Sequence, residues 1–528
     1  MNRFGSLIVI FTLITSAAAL TTACGSNDVA SDPSVVQTEQ GPAKGTVANG
    51  VSEFLGLPYA APPVGPLRWK PPTAAAHYTS TYNASTARSQ CVQGSATAAT
   101  GSEDCLYLNI YRPRNATSTS ALPVIFAIHG GGFAVGSSAF IDGTSLAKND
   151  NVIVVSINYR LNALGFLAHP VLTVEDTQHA SGNYGLLDQN AALSWVKRNI
   201  AAFGGNPDNI TITGGSAGGI SVFTHMVSPM SAGLFAKAAP QSGGFTRVQA
   251  TLAQAESDGV SFTSQWGCTT GSSADIAACL RNVPAAATLQ NNPPAWLPNV
   301  DGRFLTMSTS VAFSTGQFNK VPIMTGFVDD EGTYFVAAAF DANGQPVTSS
   351  GYVPTIQGFL GVDGNATAAL YPLSQYKSPS QALARVYGDY RVICGIMQDT
   401  DNIARFAPSA FVYQFSEKTP YSTNTLISTL PPTNIDYGAF HGSDTDYWFA
   451  QMVNPTASQT QLATTMSTSI ANFAKSGNPG VTGTPQWQQY SGANRQVFSF
   501  GDTLNANFDA YTAHQCAYWY QQTPSTHL

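Results

Sequence analysis

Apolar positions along the chain fall into two kinds of run. Short unbroken ones, Leu122-Pro123-Val124-Ile125-Phe126-Ala127, Val152-Ile153-Val154-Val155-Ser156-Ile157 and the β-branched Ile210-Thr211-Ile212-Thr213, predict buried strands. Between them lie stretches of helical spacing such as Asn190-Ala191-Ala192-Leu193-Ser194-Trp195-Val196. Strands that alternate with helices predict an α/β fold, a mixed and mainly parallel sheet flanked by helices. No internal repeat and no Pro- or Ser-rich linker divides the middle of the 528 residues, so the excess length reads as large insertions between strands of one domain, 35–528.

Directly after Ile210–Thr213 comes Gly214-Gly215-Ser216-Ala217-Gly218, followed by the helix-like Gly219-Ile220-Ser221-Val222-Phe223. A serine held in a tight strand-to-helix turn needs neighbours without bulky side chains, and its hydroxyl then stands free to act as a nucleophile. Ser216 is the candidate. In a chain with 47 glycines the pattern alone carries little weight. It gains weight from Ile128-His129-Gly130-Gly131-Gly132-Phe133, which opens a loop at the end of the strand predicted over 122–127. Acyl transfer builds negative charge on a carbonyl oxygen, and backbone N–H donors reach that oxygen only where no side chain intervenes. Gly131 and Gly132 meet that need, and Ala217, next to the serine, adds a third donor.

The matching acid and base are sought downstream, because hydrolases of this architecture run Ser, then Asp or Glu, then His. Glu331, in Asp329-Asp330-Glu331-Gly332, emerges after the apolar run Val321-Pro322-Ile323-Met324. His441, in Phe440-His441-Gly442-Ser443-Asp444, is the histidine that fits. Of the eight histidines, His77, His129, His169 and His179 precede Ser216, His225 shares its helix, and His514 and His527 lie far downstream.

These residues, with Phe54 to Ala60, Pro62 to Gly65, Ser102 to Asn109, Asn158 to Arg160, Gly185 to Gln189 and Phe203 to Pro207, resemble the type-B carboxylesterases, the family that includes the cholinesterases and neuroligins. The resemblance spans nearly the whole chain after its first residues. It implies an α/β-hydrolase fold and a serine hydrolase that works through an acyl-enzyme, with Ser216 as nucleophile, His441 as base, Glu331 as orienting acid, and the amides of Gly131, Gly132 and Ala217 as the oxyanion hole. It also implies a serine near the catalytic histidine at Ser242, an ion pair between Arg68 and Glu103, and a gorge lined by Trp296, Tyr334 and Phe335. Aromatic walls of that kind suit uncharged apolar or aromatic esters.

Two departures bear on substrate. Gly215 stands where the family usually has glutamate, which removes a carboxylate that would attract a cation. The segment between Cys91 and Cys105 has no aromatic residue, although cholinesterases bind quaternary ammonium there through a tryptophan. A cholinesterase is therefore not expected. A lipase-like hydrolase of longer acyl esters and a non-catalytic binding protein of the same fold are the alternatives.

Charged residues make up only 10% of the chain and its net charge is -7, with no basic patch for nucleic acid. Neither metal-ligand spacing nor a phosphate-binding glycine loop is present, so no metal or cofactor is expected. The chain opens with Arg3, the apolar stretch Leu7 to Leu20 and small residues up to Ala23, which reads as a signal peptide over 1–23 and is too short to span a membrane. Residues 24–34 read as a short polar tether. Cys24 resembles a bacterial lipoprotein cysteine, with Thr21 where that motif prefers leucine, so a membrane anchor and simple release stay open. Six cysteines follow. They allow fifteen pairings. The short spacings favour Cys91 with Cys105 and Cys268 with Cys279, leaving Cys394 with Cys516, and the resemblance implies the same three bridges. Such bridges call for an oxidising, extracytoplasmic compartment. The expected partner is a small-molecule ester.

Overall fold

The strand-like runs become one sheet. The computed structural model describes residues 32–245, 247–289, 296–420 and 433–522; the expected signal peptide and Cys24 lie outside them. Eleven strands form the main sheet. In chain order they are β1 Thr46–Ala48, β2 Val51–Pro58, β3 Tyr107–Pro113, β4 Leu122–Ile128, β5 Ile153–Ile157, β6 Gly205–Gly215, β7 Lys237–Gln241, β8 Ile323–Val328, β9 Ala410–Phe415, β10 Val497–Phe500 and β11 Asn505–Phe508. Across the sheet the order is β11-β10-β9-β8-β7-β6-β4-β5-β3-β2-β1. The strands from β10 through β5 in that order run parallel, and antiparallel strands close both edges.

Parallel strands are covered on both faces, which is why they read as continuous apolar runs. Side chains alternate between the two cores. Val124, Phe126 and Ile128 of β4, with Ile153, Val155 and Ile157 of β5, enter one core, while Ile125, Ala127 and Val154 enter the other. Six helices matter below: α1 Tyr184–Asn199, α2 Ala217–Val227, α3 Thr333–Ala339, α4 Pro379–Gly388, α5 Cys394–Ile403 and α6 Ala457–Ser476. Leu186, Leu193 and Trp195 of α1 and Ile220 and Val222 of α2 cover the first face, and Leu462, Met466, Ile470 and Phe473 of α6 cover the second. The large insertions fall between Gln241 and Ile323, between Val328 and Ala410, and between Phe415 and Val497.

All three expected disulfides are present, Cys91–Cys105, Cys268–Cys279 and Cys394–Cys516. The implied ion pair is present too. Arg68 grips Glu103 through two hydrogen bonds of 2.7 and 2.5 Å, with side chains only 8% and 15% exposed. A second pair is buried more deeply. Arg160, just past β5, meets Asp188 of α1 through two side-chain bonds of 2.7 Å and a backbone N–H bond of 3.1 Å. It fixes the start of α1 against the end of β5. Among the described residues no helix is long and apolar enough to cross a membrane.

Candidate active site

In parallel α/β sheets, ligands bind beyond the carboxyl ends of the strands. Here four neighbouring strands deliver chemistry to that edge. β4 ends at Ile128 and runs into the glycine loop, β6 ends at Gly215 before Ser216, β7 ends at Gln241 before Ser242, and β8 ends at Val328 before Asp329-Asp330-Glu331.

Ser216 has φ 57 and ψ -121, a conformation that side-chain-bearing residues avoid. Its N–H donates to the Gln241 carbonyl at 3.0 Å, which ties the turn to β7. The small flanks do what the sequence required. A Cβ on Gly218 would collide with the Ile128 carbonyl, and α2 can start close to β4 only because it is absent. On the other side, a Cβ on Gly130 would sit 2.7 Å from the Gly215 carbonyl and 3.2 Å from Ser216 Cβ, so the glycine loop packs directly on the serine. The amides of Gly131, Gly132 and Ala217 donate to no group among the described residues. Space is open where a Gly132 side chain would be.

Glu331 and His441 meet. His441 Nδ1 lies 2.5 Å from Glu331 Oε2, and the other carboxylate oxygen accepts the Val328 N–H at 3.0 Å. A carboxylate so held accepts a hydrogen bond from Nδ1–H, which keeps the proton on Nδ1 and the lone pair on Nε2. His441 Nε2 is buried with no hydrogen-bond partner among the described residues. Catalytic hydrogen bonds in unliganded enzymes are often loose and tighten when substrate arrives, so an unpartnered Nε2 is compatible with a base.

The other expected residues are placed unevenly. The Phe335 ring lies 5.0 Å from the His441 ring, and Tyr334 packs edge-on against Phe335 at 5.4 Å. Trp296 instead packs against Phe262 at 4.9 Å, within the core. Ser242 is buried beyond the end of β7, its N–H on the Gly326 carbonyl at 2.8 Å and its hydroxyl unpartnered. Phe245, which the sequence reading did not single out, stands edge-on to His441 at 5.1 Å. It has no local signature, because only the fold brings the loop after β7 under the histidine. Two of the excluded histidines, His225 and His514, are engaged elsewhere. His225 is buried between Ser231 and Gln189, with its pKa lowered to about 3 by burial, and His514 lies between Asp389 and Gln414. Among the described residues no group of three or more His, Cys, Asp or Glu could hold a metal ion.

Asp444 is a second buried carboxylate beside this pair. Burial pushes its carboxyl up to about 6 and the Glu331 charge adds to the rise, against hydrogen bonds from Tyr413 and Trp448. An unfolded aspartate titrates near ~3.9. Between the two values the folded protein binds a proton that the unfolded chain does not, so acidification through that window stabilises the fold through this group. Asp444→Asn lacks that gain. Relative to wild type it is expected to lose about 1.4 kcal/mol of unfolding free energy per pH unit as the pH falls from about 6 to about 4. Denaturant titrations of both proteins across the window check this, and a constant difference between them refutes it.

The sequence model of the carboxylesterase family matches residues 32–519. The chain is 32% identical to the fumonisin B1 esterase of Sphingopyxis macrogoltabida, over 95% of this chain and 92% of that protein. It is also 32% identical to a cholinesterase of Mus musculus, over 92% of this chain and 86% of that one.

Proposed function

The chain belongs to the carboxylesterase family and is a carboxylic-ester hydrolase, and from that premise we propose that it cleaves uncharged, apolar or aromatic esters through an acyl-enzyme on Ser216. The observation that carries this reading is the Glu331–His441 bond of 2.5 Å, which leaves Nε2 of His441 buried and unpartnered. Ser216 Oγ attacks the ester carbonyl as His441 Nε2 takes its proton. The oxyanion is held by the amides of Gly131, Gly132 and Ala217, and the carbonyl reforms as the C–O bond to the alcohol breaks and His441 gives that alcohol its proton. Water, deprotonated by the same nitrogen, then attacks the acyl-enzyme and releases the acid and Ser216. Glu331 holds the tautomer and stabilises the imidazolium without taking the proton. Ser242 supports the histidine, and Tyr334 and Phe335, gathered at His441, supply apolar wall to the substrate channel.

The two relatives are named for different esters, so substrate class rests on this chain's own residues. Gly215 puts no carboxylate beside the serine, and the segment from Cys91 to Cys105 offers no ring to a cation. Since cation–π contact is worth about 2 kcal/mol or more when desolvated, neutral p-nitrophenyl esters are expected to exceed thiocholine esters of equal acyl length by at least about tenfold in kcat/KM. Equal or better turnover of the cationic ester overturns the preference. An organophosphate should label Ser216 with loss of one active site per label, and an unlabelled, folded protein would overturn the acyl-enzyme itself. The three disulfides and the signal-like first 23 residues support export from the cytoplasm, after which the protein is either held at the membrane through a lipidated Cys24 or released.

A further inference from the structure

Three acids stand in a row after β8, and each goes a different way. Asp329 pairs with Arg385 of α4 at 3.0 Å and with Lys418 at 3.2 Å. Glu331 takes His441. Asp330 turns toward the segment that carries the histidine: its Oδ2 accepts the Ala439 N–H at 3.0 Å, and its own N–H donates to the Ala439 carbonyl at 3.0 Å. Asp330 and Phe440 thereby form an isolated parallel bridge, one residue before Glu331 and one before His441. The Thr333 hydroxyl lies between the carbonyls of Asp330 and Tyr437, at 2.8 and 2.9 Å. Gly438 shows how close the approach is. It has φ 54, and a Cβ there would collide with the Asp330 carboxylate.

We propose that Asp330 is a positioning residue for ester hydrolysis, its carboxylate holding the histidine-bearing loop in register with the acid-bearing loop so that Nδ1 of His441 meets Glu331. The inference rests on the triad reading. Asp330 touches neither substrate nor the reacting atoms, and it acts by what it accepts. Burial, with the Asp329 charge behind it, raises its carboxyl to about 6, so it is ionised at neutral pH and makes the stronger, charge-assisted form of the bond to Ala439. A base displaced by even 1 Å can cost about 100-fold. The tie therefore bears on kcat and not on substrate binding.

The test uses Asp330→Ala, Asp330→Asn and Gly438→Ala in the full chain, with neutral p-nitrophenyl esters. Asp330→Ala is expected to lose about 10- to 100-fold in kcat with KM within about twofold of wild type. Asp330→Asn, whose amide oxygen can accept the same N–H, should keep kcat within about threefold of wild type, since a neutral acceptor is roughly half as strong as a charged one. Gly438→Ala pushes on the tie from the other side. It should lower kcat in the wild-type background and add little to Asp330→Ala, because the two act on one contact. Wild-type kcat in a folded Asp330→Ala protein overturns the proposal, as does an Asn variant no better than Ala. If Asp330→Ala fails to fold, Gly438→Ala alone decides, and unchanged kcat there is equally fatal. Failure of the triad reading looks different: organophosphate would then leave the wild type unlabelled.

Discussion

Ser216→Ala and His441→Ala are each expected to lower kcat by about 10⁴-fold or more, and the double variant to be about as slow as either alone. The non-additivity is the informative part. In the proposed mechanism serine and histidine perform one proton-coupled attack, so removing the second partner takes away nothing that the first removal left. Glu331→Gln loses less than either, because the acid orients and stabilises the imidazole without attacking or transferring a proton itself. Its carboxylate nonetheless fixes the tautomer through the 2.5 Å bond to Nδ1, and an amide there can present its N–H and turn the ring's proton to the wrong nitrogen. Steady-state kinetics on one neutral ester measure all four variants. Robust turnover by purified Ser216→Ala sinks the assignment of the nucleophile, and multiplicative losses in the double variant sink the idea that the two act as a unit.

The second large effect concerns stability. Asp188→Ala strands the Arg160 guanidinium, whose side chain is 4% exposed opposite a fully buried partner. Removing one member of a buried pair costs about 3 to 5 kcal/mol, because the charge left behind has neither water nor a counter-ion. Asp208, 84% exposed in its pair with Lys197, is the control: Asp208→Ala should cost under about 1 kcal/mol. Denaturant midpoints and folded yield of both variants separate the cases. A wild-type midpoint for Asp188→Ala would mean that the site relaxes enough to admit water.

The strand-to-helix turn at Ser216 was legible in the sequence because everything that defines it lies within a few residues: the strand 210–213, the small flanks, and the helix after Ser216. The sheet was legible for a related reason, since strands buried on both faces announce themselves as apolar runs. The acid was harder. Glu331 was read from its place after the apolar run 321–324 and from the family resemblance, but Asp329 and Asp330 share that place; in the fold the three part toward Arg385, Ala439 and His441. Phe245 beside His441, the pairing of Arg160 with Asp188, and the bridge from Asp330 to Phe440 had no signal at all. Each joins segments distant in the chain through contacts that no local pattern encodes. The aromatic wall was read from resemblance, and it divides. Phe335 and Tyr334 gather at the histidine, while Trp296 packs with Phe262.

The sheet order has a consequence for how the enzyme is made. Strands β1 to β7 come from residues up to Gln241, whereas β8 to β11 come from Ile323 onward and are added on one side of β7. Chains leave the ribosome amino end first and begin to fold as they emerge. A nascent chain grown as far as Gln241 already carries Ser216 and the glycine loop, yet it has no Glu331 and no His441. Its β7 edge is a row of unpaired N–H and C=O groups, which attracts other strands until β8 arrives and makes this interval the one in which chaperones are most needed. On the proposed mechanism any product abandoned before residue 441 holds a nucleophile without its base, so translation would run most of its course before anything able to cut an ester exists.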